Sequence, residues 1–338
     1  MLSVAGRPLA GPPVAAGQPR DLFEEGPAKT VGLEGPVPHG PERRADLLAL
    51  AELLPSCGVN PPVVDGVALD QFSLPCPGRS TENLHLAETH LAAVFNKPEF
   101  PIVDHYTFVL GGDGCMMEGI SSEVFSLAGT LSLNKLIVLY DSNNISIEGD
   151  TDLAFTEDVE QRMAAFGFQT LTVEDGTDLA AIGKAIEAAK ADKERPSFIT
   201  IKTQIGFGCP AKAGKASAHG EPLGEENLRA LKENLGWQNP AESFSVPAAV
   251  YEHYDTLAAE GAALEEKWNE LFAAYCAKYP EEKARWDAYH APVDAAALLE
   301  DAAFWAHDDK PAATRALSGK MIQRLKEIVP QLIGGSAD

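Results

Sequence analysis

The chain has 338 residues, 45% of them hydrophobic, and its 50 acidic side chains stand against 27 basic ones, a formal charge of −23. The apolar share is enough for a sizeable core, and the length fits two average domains or one large domain with appendages. The acidity excludes nucleic acid and an anionic bilayer as main partners, since both require basic patches. A small anion stays open to it, provided a metal and backbone N–H groups neutralise the ligand.

Residues 1–80 hold 13 of the 24 prolines and 10 of the 29 glycines, but only two of the 25 aromatics, Phe23 and Phe72. That composition predicts a loose arm with at most a short helix over 45–54. The opening residues lack the apolar run of a secretory signal. No stretch approaches the ~18 consecutive apolar residues that span a bilayer, so no membrane is expected. Five widely spaced cysteines without a CxxC pair fit a reducing compartment with neither disulfide framework nor zinc site. The expected location is cytoplasmic.

From Thr81 the pattern becomes regular. Thr81 is placed to N-cap a helix over 81–95 that carries Leu84, Ala87, Leu91 and Val94 on one face. Apolar, β-branched runs at 105–110, 135–140, 169–173 and 198–202 predict strands, with helices expected at 117–133, 157–166 and 179–191. Short strands alternating with helices define an α/β fold, a parallel sheet with helices on both faces. Residues 206–224 form a Gly-rich loop too long for a plain connector. Helices are then expected at 225–235, from 247 to 279, around 282–289 and at 314–328, the last leading into the start of a strand–loop element. The expected organisation is an arm (1–80), an α/β domain (81–240), an acidic helical linker (241–312) and the opening of a further domain (313–338).

The chemistry concentrates in residues 111–144. One strand ends in Gly112-Asp113-Gly114 and the next in Asp141-Ser142-Asn143-Asn144. A right-handed crossover sets consecutive parallel strands with their carboxyl ends on one edge, where open α/β sheets meet ligands. Asp113 and Asn143 thus emerge together. One carboxylate and one amide oxygen are hard ligands suited to Mg²⁺ or Ca²⁺, with room left for phosphate oxygens. Gly112 and Gly114 permit close backbone approach, and the following helix offers N–H groups to a diphosphate. Two other readings stand beside this one: a plain βα turn capped by Asp113, and a nicotinamide-nucleotide site. The second lacks G-x-G-x-x-G and an acidic residue at the ribose distance.

The segment GDGCMMEGISSEVFSLAGTLSLNKLIVLYDSNNISIEGDT resembles the thiamine diphosphate motif of the transketolase family, which opens on GDG and closes near a double Asn. The likeness runs on through FTEDVEQRMAAFGF, KTQIGFGCPAKAGKASAHGEPLG and ENLGW, and covers about residues 84–338. The resemblance implies thiamine diphosphate and a divalent metal (Mg²⁺ or Ca²⁺) as cofactors. The metal would be held by the Asp113 and Asn143 side chains and the Ile145 carbonyl. Gly114 would donate its N–H to a phosphate, Ile147 and Ile205 would pack near the cofactor, and His219 would reach the diphosphate and the reacting carbon. Glu118, by its position a first-turn helix acid, would join a carboxylate network linking two active sites across a homodimer. The activity implied is transfer of a two-carbon ketol unit from a ketose phosphate to an aldose phosphate.

Departures from the family are local. Its G-P-L-G-Q-G motif should fall near residues 72–77, where this chain has FSLPCP. Histidine loops expected further upstream have no counterpart in residues 1–80. The pyrimidine-binding domain, expected to begin near Leu317 and to run past Asp338, would supply the catalytic Glu. Three expectations follow: a transketolase-type transferase whose 338 residues are inactive alone, a non-catalytic subunit completed by another chain, and an unrelated nucleotide-binding α/β enzyme.

Overall fold

The computed structural model describes residues 63–64, 67–68, 81–306 and 310–334. Strands β1 (Val63–Val64) and β2 (Val67–Ala68) pair antiparallel. The rest of the expected arm, including the 45–54 helix, lies outside the described residues. The α/β part then runs α1 (Thr81–Phe95), β3 (Thr107–Gly112), α2 (Asp113–Met117), α3 (Gly119–Thr130), β4 (Leu136–Ser142), β5 (Ile145–Ser146), β6 (Gly149–Asp150), α4 (Val159–Ala165), β7 (Gln169–Val173), α5 (Leu179–Ala191) and β8 (Ser197–Lys202). After it come α6 (Glu225–Asn234), α7 (Ala248–Lys278), α8 (Pro280–His290), α9 (Ala295–Glu300) and α10 (Thr314–Ile328). Residues 329–334 are turn and coil rather than the expected strand start.

The main sheet has the order β3-β4-β8-β7, and every pair in it is parallel. Side chains alternate across a strand, so β4 serves both faces. Leu136, Val138 and Tyr140 enter a core with Met116, Phe125, Val159, Met163, Phe168 and Phe198 under α3 and α4. Ile137 and Leu139 enter a second core with Val173, Ile199, Ile201, Ile182 and Ile186 under α5. Both faces are therefore covered, as the continuous apolar runs predict.

Two boundaries move for physical reasons. Strand β3 ends at Gly112 rather than 110 because Gly111 and Gly112 pair with Tyr140 and Asp141; ladder pairing overrides the weak strand preference of glycine. The single helix expected over 117–133 is instead α2 and α3, broken at Glu118, whose backbone is extended (φ −67, ψ 136). Side chains take over carbonyls that a continuous helix would have used. Arg162 Nη2 donates to the Met116 carbonyl at 2.9 Å, and Ser121 Oγ to that of Cys115 at 2.5 Å.

The stretch expected to be a linker has a core of its own. Tyr275 of α7 is fully buried with Phe95, Ile102 and Val103, and Leu271, Phe272 and Trp286 pack around them. The Tyr275 hydroxyl donates to the Phe95 carbonyl and the Trp268 indole N–H to that of Ile102, both at 2.9 Å. Helices α7 and α8 thereby clamp the end of α1 and the chain that leads into β3.

Helix α3 is seated by a glycine. A Cβ on Gly129 would stand 1.7 Å from the Phe166 carbonyl oxygen at the end of α4. That neighbour is backbone and cannot swing away. Gly129→Ala should lower the free energy of urea unfolding by at least about 1–3 kcal/mol, and an unchanged urea midpoint would show that the two helices are not held at that distance.

Candidate functional site at the carboxyl edge of the sheet

Parallel pairing of Gly112 with Asp141, and of Ser142 with Lys202, brings the ends of β3, β4 and β8 to one edge. Asp113 follows β3 directly and is buried, 4% exposed. Its carboxylate is gripped from β4. The Tyr140 hydroxyl donates to Oδ1 at 2.5 Å, while the backbone N–H groups of Asn143 and Asn144 donate to Oδ2 at 3.2 and 2.9 Å. Burial, and then the hydrogen bond to Asp113 and its charge, push the Tyr140 hydroxyl well above the usual phenol range. It stays a neutral donor.

Asn143 closes the turn. Its side-chain Oδ1 accepts the Ile145 N–H at 3.0 Å, and its Nδ2 donates to Asp141 Oδ1 at 3.4 Å. Thr203 Oγ1, just beyond β8, donates to the same Asp141 oxygen. Asn144 adopts the left-handed conformation, φ +60, which Asn tolerates better than other side-chain-bearing residues. Its carbonyl accepts the Thr151 N–H at 3.0 Å, closing the β5–β6 hairpin behind the site.

The sequence-predicted residues separate into two groups. Asp113, Asn143 and Ile145 are joined by direct or shared hydrogen bonds, and Gly112 and Gly114 flank Asp113 in the chain. Neither glycine has a positive φ. A Cβ on Gly114 would meet nothing within 4 Å. The space above the Asp113–Gly114 backbone is therefore open to a ligand. Glu118 is exposed and lies at the α2–α3 break, one residue ahead of α3 rather than in its first turn. Helix α2, with five residues, offers an anion only its local N–H groups, not the dipole of a long helix.

The second group makes no hydrogen bond to this centre among the described residues. Ile147 sits 66% exposed at the tip of the β5–β6 hairpin, which excludes a core role. Ile205 is half-buried on the loop after β8, and its carbonyl accepts the Gly214 N–H at 2.8 Å. His219 is exposed on the same loop, directly after a 3₁₀ turn, and among the described residues no hydrogen bond ties its ring to the Asp113 cluster. The loop is wound on itself: Gly206, φ +63, would place a Cβ 3.0 Å from that of Ala218.

Sequence reasoning missed Tyr140, Asn144 and Arg162. Tyr140 was legible as the one polar group on the apolar face of LIVLY, one pleat before the edge. A polar cavity of about 500 Å³ opens beside Asp113 and Tyr140. Glu157, Asp158, Glu160 and Glu174 on its wall face a single lysine, Lys202. Three of those acids already have structural work. Glu157 pairs with Arg162 at 2.9 Å, Asp158 caps α4 and Glu160 accepts from Thr172.

The donor set suits a hard divalent cation. Asp113 is a buried carboxylate whose described partners are neutral donors, and Asn143, whose backbone N–H is one of those donors, carries an amide oxygen. Among the described residues no cluster of three His, Cys, Asp or Glu offers a different metal geometry.

Fold and site place the chain in the class of α/β domains that meet their ligands at the carboxyl edge of a parallel sheet. Residues 79–291 match the transketolase thiamine diphosphate binding domain. The chain is 46% identical over 256 residues to a transketolase of Nostoc sp., covering 75% of this chain and 38% of that protein. It is 49% identical over 255 residues to one of Streptococcus pyogenes, covering 75% and 34%. Among solved structures it superposes on a transketolase from Leishmania mexicana with TM-score 0.68 and 40% identity, covering 76% of this chain and 38% of the other. A Pichia stipitis transketolase in complex with sedoheptulose 7-phosphate gives TM-score 0.67 and 42% identity, with coverage of 76% and 38%. The chain belongs to the transketolase family and carries its thiamine diphosphate binding domain. It spans little more than a third of the length of these relatives.

The left-handed turn at Asn144 makes a direct test of the site's frame. Asn144→Gly should leave urea stability within about 0.5 kcal/mol, whereas Asn144→Val should cost about 1–2 kcal/mol. Equal stabilities for the two variants would mean that the turn is not fixed in that conformation.

Proposed function

We propose that this chain binds thiamine diphosphate together with a divalent metal at the carboxyl edge of its sheet, and forms the diphosphate-holding part of a transketolase. The observation that carries the reading is Asp113, a buried carboxylate held by neutral donors and followed in the chain by the open backbone of Gly114. A buried charge without an opposite charge is costly, and a cation there offsets that cost. Asp113, Asn143 and the Ile145 carbonyl would hold the metal, with Mg²⁺ the natural choice for a site that leaves positions to phosphate oxygens. The acidic wall of the neighbouring cavity opposes a bare anion, which again favours a diphosphate that arrives with its metal.

When bound, thiamine diphosphate supplies a nucleophilic carbon and an electron sink for ketol transfer. The chain's own residues bind and orient. Gly114 N–H donates to a phosphate oxygen, Ile147 and Ile205 give apolar contact, and His219 holds or moves a proton at the diphosphate side. The substrates inferred are a ketose phosphate and an aldose phosphate; the Pichia stipitis relative was solved with such a sugar phosphate. Ketol transfer by these 338 residues alone is expected to be negligible, because they span little more than a third of the length of the relatives they match. No helix among the described residues is long and apolar enough to cross a membrane, and Cys115, Cys209 and Cys276 are free thiols. Free thiols fit the reducing, cytoplasmic setting we infer.

Titration calorimetry with thiamine diphosphate and Mg²⁺ tests the reading. Wild type should bind only with Mg²⁺ present, and Asp113→Ala should lose at least about 100-fold in affinity, in line with removing one partner of a buried charge contact. Asp113→Ala binding as well as wild type would discard the metal assignment.

We further infer that a second copy packs on α3. Ile120, Leu127 and Leu131, at spacings that share one helix face, are 58%, 49% and 45% exposed. Light scattering should report a dimer that Leu127→Lys converts to monomer, and a wild-type monomer at micromolar concentration would rule this packing out.

A further inference from the structure

The Asp113 carboxylate has an asymmetric set of partners. Oδ2 accepts two backbone N–H groups, from Asn143 at 3.2 Å and Asn144 at 2.9 Å, which fill the in-plane directions of one carboxylate oxygen. Oδ1 accepts one donor, the Tyr140 hydroxyl, and keeps an open direction. Resting on the function proposed above, we propose that Tyr140 is the positioning residue of the metal site. Its hydroxyl fixes the carboxylate so that the cation is taken through Oδ1, while Oδ2 stays committed to the turn.

The strand itself aims Tyr140. It lies on β4 opposite Gly111 and two residues before Ser142, and its side chain projects into the core under α3 and α4. The ring is 4% exposed and rests against Phe198 with centroids 5.4 Å apart. The hydroxyl reaches Asp113 Oδ1 from a ring packed in that core. A ring packed this way cannot follow a carboxylate that rotates, so the orientation of Asp113 is set before any ligand arrives. Groups that orient a metal ligand in this fashion typically change metal affinity 10- to 100-fold when removed.

Tyr140→Phe deletes the hydroxyl and keeps the ring. Phe198→Leu is the packing control, loosening the ring while keeping the hydroxyl. The test titrates thiamine diphosphate into the full chain at a series of Mg²⁺ concentrations, with urea unfolding measured in parallel. Tyr140→Phe should raise the Mg²⁺ midpoint about 10- to 100-fold, and saturating Mg²⁺ should restore cofactor affinity to within a few-fold of wild type. Phe198→Leu should lower the urea midpoint and move the Mg²⁺ midpoint far less than Tyr140→Phe does. A folded Tyr140→Phe with an unmoved Mg²⁺ midpoint overturns the proposal, as does Phe198→Leu shifting that midpoint equally, which would reduce Tyr140 to a packing role. Wild type that binds without Mg²⁺, or not at all, overturns the metal–cofactor reading itself and this inference with it.

Discussion

The structure turns on a carboxylate in the wrong place for a charge. Asp113 is buried between β3 and β4, and moving an ionised carboxyl out of water costs several kcal/mol even after relaxation. The fold meets that cost locally with a tyrosine hydroxyl and two successive backbone N–H groups. Those N–H groups converge because Asn143 and Asn144 turn sharply off β4, with Asn144 left-handed and Asn143 capping the turn through its own side chain. The turn exists to serve the carboxylate, and the β5–β6 hairpin follows from the turn. What remains is a half-satisfied anion at a sheet edge, which is where a divalent cation gains most.

This resolves the apparent conflict between a charge of −23 and a doubly anionic ligand. Excess acid on a surface repels an anion over about a Debye length, and the cavity beside Asp113 adds four carboxylates at close range. Attraction must come from within the site. On the proposed reading, a cation held by Asp113 would reverse the local sign, and the open backbone at Gly114 would contribute N–H dipoles. The acidity that argues against nucleic acid is then what would make a metal part of binding the anion.

Much of this was legible in the sequence. The strands at β4, β7 and β8 and the helices α1 and α5 follow from periodicity because each has one or two faces committed to a core. Asp113 and Asn143 follow from topology, since parallel crossovers leave no other place for them. The α2–α3 break did not follow, because Arg162, forty-odd residues away, supplies the partner for the Met116 carbonyl. Nor did the α7–α8 clamp: α7 is polar around most of its surface, and only Trp268, Phe272 and Tyr275 mark the side that docks. His219 stayed legible by resemblance alone. Its loop folds on its own turns, and no bond among the described residues carries it to the cluster.

The site divides into a part that the core determines and a part that it does not. Asp113 and Tyr140 are fixed by burial, and Asn143 and Asn144 by the hydrogen bonds of the turn. Glu118, Ile147 and His219 are exposed, and the apolar face of α3 begins two residues after Glu118. The second copy proposed above would cover Ile120, Leu127 and Leu131 on that face. Because α2 and α3 join the diphosphate edge to that face through one elbow, pinned by Arg162 at Met116 and Ser122, a body docked on α3 bears on the same elbow that presents Gly114. On the proposed reading, metal capture would be a local property of the sheet edge, whereas completion of the site would depend on what covers α3.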